Sequence, residues 1–180
     1  MNKRLLCTLF VLAIFALTVS ASANDEAAVS STVDRFYKLH RSRSGLMSTH
    51  ELNLRKGWFT AELTRLFQNE IRREEEFVRK NPDEKPYFGD GFPFQPYEEC
   101  VVNEKLVLNR LELGKVKLNG RTATIDVKFY IPEQCAAEVP DPLLDSFQIE
   151  LTREASGKWL INDWIFADGR LSAILKREKY

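Results

Sequence analysis

Apolar residues recur at helical spacing in the first half of the chain and alternate in the second. Across 28–40, Val29, Val33, Phe36, Tyr37 and His40 share one helical stripe, while Asp34, Arg35 and Lys38 lie elsewhere. That pattern predicts an amphipathic first helix. A second start is spelled by MSTHEL, where Ser48 and Glu51 form a capping box and Met47 with Leu52 a hydrophobic staple. This helix should stop at Gly57. A third should run from Thr60 towards Lys80, burying Leu63, Leu66, Phe67, Ile71 and Val78. The charged run RREEEFVRK then reads as a solvated face, with Glu75 to Arg79 and Glu76 to Lys80 at a favourable (i, i+4) spacing.

After Asn81-Pro82 a long loop intervenes, and then the period changes to two. KLNGRT reads as a two-residue hairpin turn at Asn119-Gly120. The strand leaving it alternates, with Ala123, Ile125, Val127, Phe129 and Ile131 on one face and Thr122, Thr124, Asp126, Lys128 and Tyr130 on the other. The strand entering it changes phase twice, from Leu106 and Leu108 to Leu111 and Leu113, then to Val116 and Leu118. An extra residue at each break would keep the apolar side chains on one face, so bulges are expected near Asn109-Arg110 and near Gly114-Lys115. Bulges bend sheets. A second hairpin turns at Ala155-Ser156-Gly157, Asp168-Gly169 breaks the last strand, and RLSAILK closes the chain as a short helix with Leu171, Ile174 and Leu175 inward. The fold class expected is α+β: N-terminal helices on a curved, bulged antiparallel sheet of about four strands, with a short C-terminal helix.

The start of the chain has another character. Lys3 and Arg4 precede an apolar run from Leu5 to Val19, and Ala21-Ser22-Ala23 fits a cleavage site, so residues 1–23 read as a secretory signal peptide and 24–180 as one domain. The run is shorter than the roughly 20 residues a membrane span needs. Cys7 stands at its front, where a lipid-modified cysteine would not lie. A periplasmic or secreted location follows, with no transmembrane segment in the mature chain. Without the leader, 24 basic residues face 26 acidic ones, a balance that gives no footprint for nucleic acid. The remaining cysteines, Cys100 and Cys135, read as one disulfide in an oxidising compartment. Counting outward from the Asn-Gly turn, they meet only if the chain turns back across the open end of the hairpin. No zinc spacing is present, Asp83, Asp90, Glu98 and Glu99 lack the alternation of a calcium loop, and no metal or cofactor is expected.

VDRFYKLH in the first helix, GKWLINDWIF in the last strand, DGRLSAIL after it and the aromatic, acidic mid-chain loop together carry a resemblance. The chain resembles the exported bacterial proteins typified by YbjP and YqhG, within the nuclear transport factor 2-like, or cystatin-like, superfamily. The resemblance implies a curved sheet wrapping helices into a cone, and in enzymes of that superfamily acid and base groups project into the cone. On the last strand strict alternation puts Trp159, Ile161, Asp163 and Ile165 on one face and Leu160, Asn162, Trp164 and Phe166 on the other. If Asp163 faced the cavity it could serve as a general base, with Asp126 or Tyr130 across the sheet as partners and His40 as a shuttle at the mouth. The plainer reading has Asp163 bound to a neighbouring loop and His40 at the edge of the core.

The loop 82–99, expected to bind together with a cone cavity, contains most of the stretch FGDGFPFQPYEEC, residues 88–100, which has neither period yet is rich in aromatics and proline. A structureless connection of this length tends to be functional, so Phe88, Phe92, Phe94 and Tyr97, with Trp159, are the candidate binding residues. The function expected is a non-catalytic binding module taking a small apolar ligand, a peptide or an envelope protein, as a monomer or homodimer. The alternatives are a cavity enzyme of the isomerase or hydratase type using Asp163, and a periplasmic immunity or inhibitor protein.

Overall fold

The computed structural model describes residues 23–41, 47–89, 92–94, 100–102, 105–132, 135 and 143–177. Helix α1 covers 23–41, and α2 (Thr49–Arg55) runs through a 3₁₀ turn (Lys56–Trp58) to α3 (Ala61–Lys80). A ribbon of β1 (Cys100–Val102) and β2 (Lys105–Val107) follows. Next come β3 (Arg110–Asn119), β4 (Thr122–Tyr130), β5 (Leu143–Arg153), β6 (Trp159–Phe166), β7 (Gly169–Arg170) and the closing α4 (Leu171–Leu175). The fold class is α+β. The main sheet has five strands rather than about four, in the order β3-β4-β5-β6-β7 with every pairing antiparallel, and β1 with β2 forms a separate pair. Residues 1–22 of the expected leader, and Tyr97, fall outside the described residues.

Local chemistry sets the helix starts. Ser48 Oγ accepts the Glu51 N–H at 3.2 Å, and Met47 and Leu52 are both buried, as a staple requires. Thr60 Oγ1 accepts the Leu63 N–H, and the Thr60 N–H donates to the Ile161 carbonyl at 2.9 Å, which fastens the start of α3 to β6. Along α3 the buried side is Leu63, Leu66, Phe67, Glu70, Ile71 and Glu74. Val78, expected inside, is 41 % exposed. It lines an open groove with Met47, Pro86 and Phe88 instead of packing in the core. Two glutamates are inside because they have partners: Glu70 lies between Arg73 at 2.9 Å and Arg177 at 2.5 Å, and Glu74 accepts the Phe88 N–H at 2.6 Å. On the solvated face Glu76 pairs with Lys80 at 2.6 Å and stands 4.0 Å from Arg79.

The two predicted bulges fare differently. Leu113 lies opposite Val127 and Val116 opposite Ile125, so Gly114 and Lys115 together oppose Asp126 alone. That bulge is present. At Asn109-Arg110 there is instead a break: β2 leaves to pair with β1, and β3 begins at Arg110 opposite Tyr130. The buried Asn109 gives its carbonyl to the Arg41 guanidinium, a partner outside the sheet. The hairpin turn is shifted by one residue, since Asn119 still pairs with Thr122 and the two-residue loop is Gly120-Arg121, with Gly120 at φ 60°. Two further irregularities escaped the sequence, an extra Leu144 on β5 and an extra Asn162 on β6.

The second of these corrects the faces of the last strand. Arg153 opposes Trp159, Leu151 opposes Ile161, and beyond Asn162 Ile149 opposes Trp164. Trp159, Ile161 and Trp164 therefore share the helix-facing side with Leu151 and Ile149, and Asp163 opposes Glu150 on the other.

Gly114 is where the bulge needs the smallest residue. A methyl group there would lie 3.0 Å from Asp126 Cβ and 3.4 Å from its carbonyl oxygen. Gly114→Val should destabilise the protein by about 1–3 kcal/mol, read from the denaturant midpoint. A midpoint equal to wild type would show that the bulge does not depend on this close approach.

Candidate functional site

Proline and phenylalanine decide what the mid-chain loop does. The Phe94 N–H donates to the Phe92 carbonyl at 2.9 Å, a three-residue turn centred on Pro93 that points both rings inward. Phe92 is 1 % exposed and Phe94 0 %. Phe94 stacks on Trp164 with centroids 4.4 Å apart and on Phe92 at 5.1 Å, and meets Phe36, Phe59 and Phe67 edge-on or tilted at 5.4–5.9 Å. The space between α1, α3 and the sheet is filled here by the chain's own aromatics. The Phe94 carbonyl is satisfied too: Tyr37 Oη donates to it at 2.8 Å and accepts from Trp164 Nε1 at 3.2 Å. Burial pushes the Tyr37 hydroxyl well above its usual range; the Trp164 hydrogen bond opposes the shift and the Asp145 charge adds to it. It is a phenol that stays protonated.

The other candidates occupy separate places. Phe88 is buried beside α3, and its neighbour Tyr87, 59 % exposed, lies under the Arg177 guanidinium at 4.2 Å. Trp159 is buried, donating from Nε1 to Asp25 Oδ1 at 3.4 Å, while Asp25 also pairs with Arg153 at 3.0 Å. His40 packs parallel to Phe36 and against Phe94, and its Nδ1 accepts from Arg55 Nε at 3.3 Å. Arg55 is itself wholly buried, held by Glu51 at 2.5 Å and lying over Phe92 at 5.1 Å. Burial, and then the Arg55 charge, lower the His40 pKa from 6.5 to about 3, with Glu51 opposing.

Asp163 is 2 % exposed and heavily bonded. Its Oδ1 accepts the Trp164 and Ser172 N–H groups at 3.0 and 2.9 Å, and its Oδ2 accepts from Ser172 Oγ at 2.6 Å and Arg170 at 3.3 Å. This carboxylate ties α4 to β6. Arg170 also binds Glu150 at 3.1 Å. Burial alone would raise Glu150, but hydrogen bonds from Arg170 and Asn162 outweigh it and hold this carboxyl below its usual range. Asp126 receives Gln148 Nε2 at 2.7 Å, and Tyr130 lies under Arg110 at 4.2 Å. Strand register keeps the three apart: Asp126 is opposite Gln148, Tyr130 opposite Leu143 and Asp163 opposite Glu150. His40 is on another element altogether.

Grooves remain open in two places among the described residues: one of about 290 Å³ beside α3, lined by Met47, Val78, Pro86 and Phe88, and others at the end of the sheet where β5 begins and β6 finishes. A groove of about 390 Å³ runs there between Pro93, Phe147, Phe166 and Ile174, with Asp145 and Asp168 on its rim. A second, of about 370 Å³, shares Phe147 and Phe166 and continues over Asp126 and Lys128. Phe147 and Phe166 lie 5.5 Å apart at 66° and form the ridge between the two. No protein-family model, curated protein or solved structure matches this chain. Sequence reading missed this groove, although the alternation of β5 already marked Phe147; Phe166, Asp168 and Ile174 meet it only through the turn into β7 and α4. Among the described residues no group of three His, Cys, Asp or Glu side chains could hold a metal, and no helix is long and apolar enough to cross a membrane.

His40 makes acid sensitivity a readable property of this site. Folded, it stays neutral down to about pH 3; unfolded, it takes a proton near 6.5. Acid therefore favours unfolding, and the stability that a neutral His40 confers is complete above pH 6.5 and drains away from there towards pH 3. Between pH 6.5 and 4.5 the loss should reach about 2–3 kcal/mol, and His40→Gln should remove that component of the pH dependence. An unchanged profile in the variant would show that the carboxylates alone carry it.

Proposed function

We propose that the chain is an exported, non-catalytic binding module that grips a peptide or protein segment at the open end of its sheet. The groove lined by Pro93, Phe147, Phe166 and Ile174 carries this reading: it is apolar along its floor and acidic at its rim through Asp145 and Asp168. Such a groove suits an apolar side chain flanked by lysine or arginine. A catalytic role is not favoured, because Asp163, Asp126, Tyr130 and His40 are each engaged by neighbours that hold structure together. The packed aromatic interior likewise turns the reading from a small ligand inside a cone towards a partner at its rim.

Selection from a random peptide display library tests this. Wild type should enrich sequences with an aromatic or aliphatic residue beside a basic one, and Phe166→Asp should bind those peptides at least tenfold more weakly, about 1.4 kcal/mol. Enrichment of the same peptides by both proteins, or of none by wild type, would refute the groove.

Export and the Cys100–Cys135 bridge belong to the same proposal. The β1 backbone places Cys100 beside Val107, three residues ahead of β3, and Cys135 follows the end of β4, so both lie at one end of the β3–β4 hairpin. The mature protein should begin at Asn24 and weigh two hydrogens less than its reduced form. Reduction should cost about 3–4 kcal/mol on the chain-entropy account. Two free thiols in protein from the periplasm would contradict the bridge.

A further inference from the structure

Strand β3 is ten residues long and stands at the edge of the sheet; among the described residues it pairs with β4 alone. Its helix-facing positions Leu111, Leu113 and Leu118 are only half covered, whereas the corresponding β4 residues Phe129, Val127 and Ala123 are fully buried. An edge of this kind is a template for another strand.

The bulge gives this edge an unusual symmetry. Two copies of one strand that pair antiparallel about a twofold axis place residue i opposite j and j opposite i, and opposed residues must share a face of the sheet. In an unbroken strand only positions separated by an even number share a face. Around Gly114-Lys115 the phase changes, so Leu111, Leu113, Val116 and Leu118 all face the helices while Arg110, Glu112, Lys117 and Asn119 all face away. An axis through the bulge then opposes Leu111 to Leu118, Leu113 to Val116 and Glu112 to Lys117, each twice. Every pair matches in face, and the charged pair is opposite in sign. Lysines and bulges commonly keep edge strands from joining. Here each lysine would meet a glutamate, and the two bulges would coincide on the axis.

We propose that the chain associates with a second copy of itself through β3, joining two five-stranded sheets into one. The half-covered leucines would be completed by their counterparts, and two Glu112–Lys117 pairs would set the register. This surface is independent of the groove, so failure of either leaves the other standing.

Sedimentation equilibrium on the purified chain reads the outcome. Wild type should be a dimer that loosens with salt. Glu112→Lys and Lys117→Glu each place like charges at both symmetric contacts and should each weaken association about tenfold or more. An equimolar mixture of the two variants restores opposite charges at both contacts and should associate as tightly as wild type. That recovery also shows that both variants are folded. A monomeric wild type, a dimer indifferent to both substitutions, or a mixture no tighter than the single variants would overturn the proposal.

Discussion

The burial of Phe94 between α1, α3 and β6 is the constraint from which most of the remaining architecture follows. Large rings from three elements, Phe36, Phe67 and Trp164, border a space into which a loop that turns tightly at Pro93 delivers two more rings. Taking a backbone into such surroundings leaves a carbonyl to satisfy. Tyr37 does so, and Trp164 in turn supplies the hydrogen bond that Tyr37 can accept. Helix, loop and sheet are thereby joined by one polar chain inside an aromatic cluster. A buried unpaired carbonyl would cost about 1–3 kcal/mol, so the hydroxyl matters as much as the ring that carries it.

Charge is handled in the same way throughout the molecule. Arg55 has no exposure, yet Glu51, His40 and the face of Phe92 surround its guanidinium. Glu70 lies between Arg73 and Arg177, which brings the last described residue back onto α3. Asp163 spends its two oxygens on the start of α4 and on Arg170. A buried charge without partners costs far more than these pairs return, so each fixes the position of the element that provides its partner. This is why the titratable residues that look like chemistry in the sequence serve as connectors in the fold. Among the described residues, packing leaves open the ridge of Phe147 and Phe166, the groove of Met47, Val78, Pro86 and Phe88, and the edge of β3.

Irregularities in the strands decide which side chains those surfaces present. The Gly114-Lys115 bulge was legible because apolar runs on both sides of it fall out of phase, and only an added residue keeps Leu113 and Val116 together. The break at Asn109 left the same trace in the leucine spacing, but whether a phase change is a bulge or a departure depends on where β2 finds its partner. At Asn162 there was no trace. Leu160, Ile161 and Trp164 are all buried, so the row reads as apolar on either face and the extra residue is hidden. The same ambiguity set Asp163 on the wrong side.

Helical spacing, capping residues and the alternation after the Asn-Gly corner determined by themselves that this chain forms helices followed by an antiparallel sheet, because those signals are local and each residue carries its share. Ser48, Thr60 and the β4 alternation each act through neighbours a few positions away. Tertiary structure alone decided that Phe92 and Phe94 are interior, that Glu70 and Glu74 are buried while Val78 is not, and that a groove forms where Pro93, Phe147, Phe166 and Ile174 converge. Those outcomes depend on which surfaces meet across long stretches of chain. Spacing along the sequence holds no record of a contact between residues fifty or more positions apart, such as Tyr37 with Phe94.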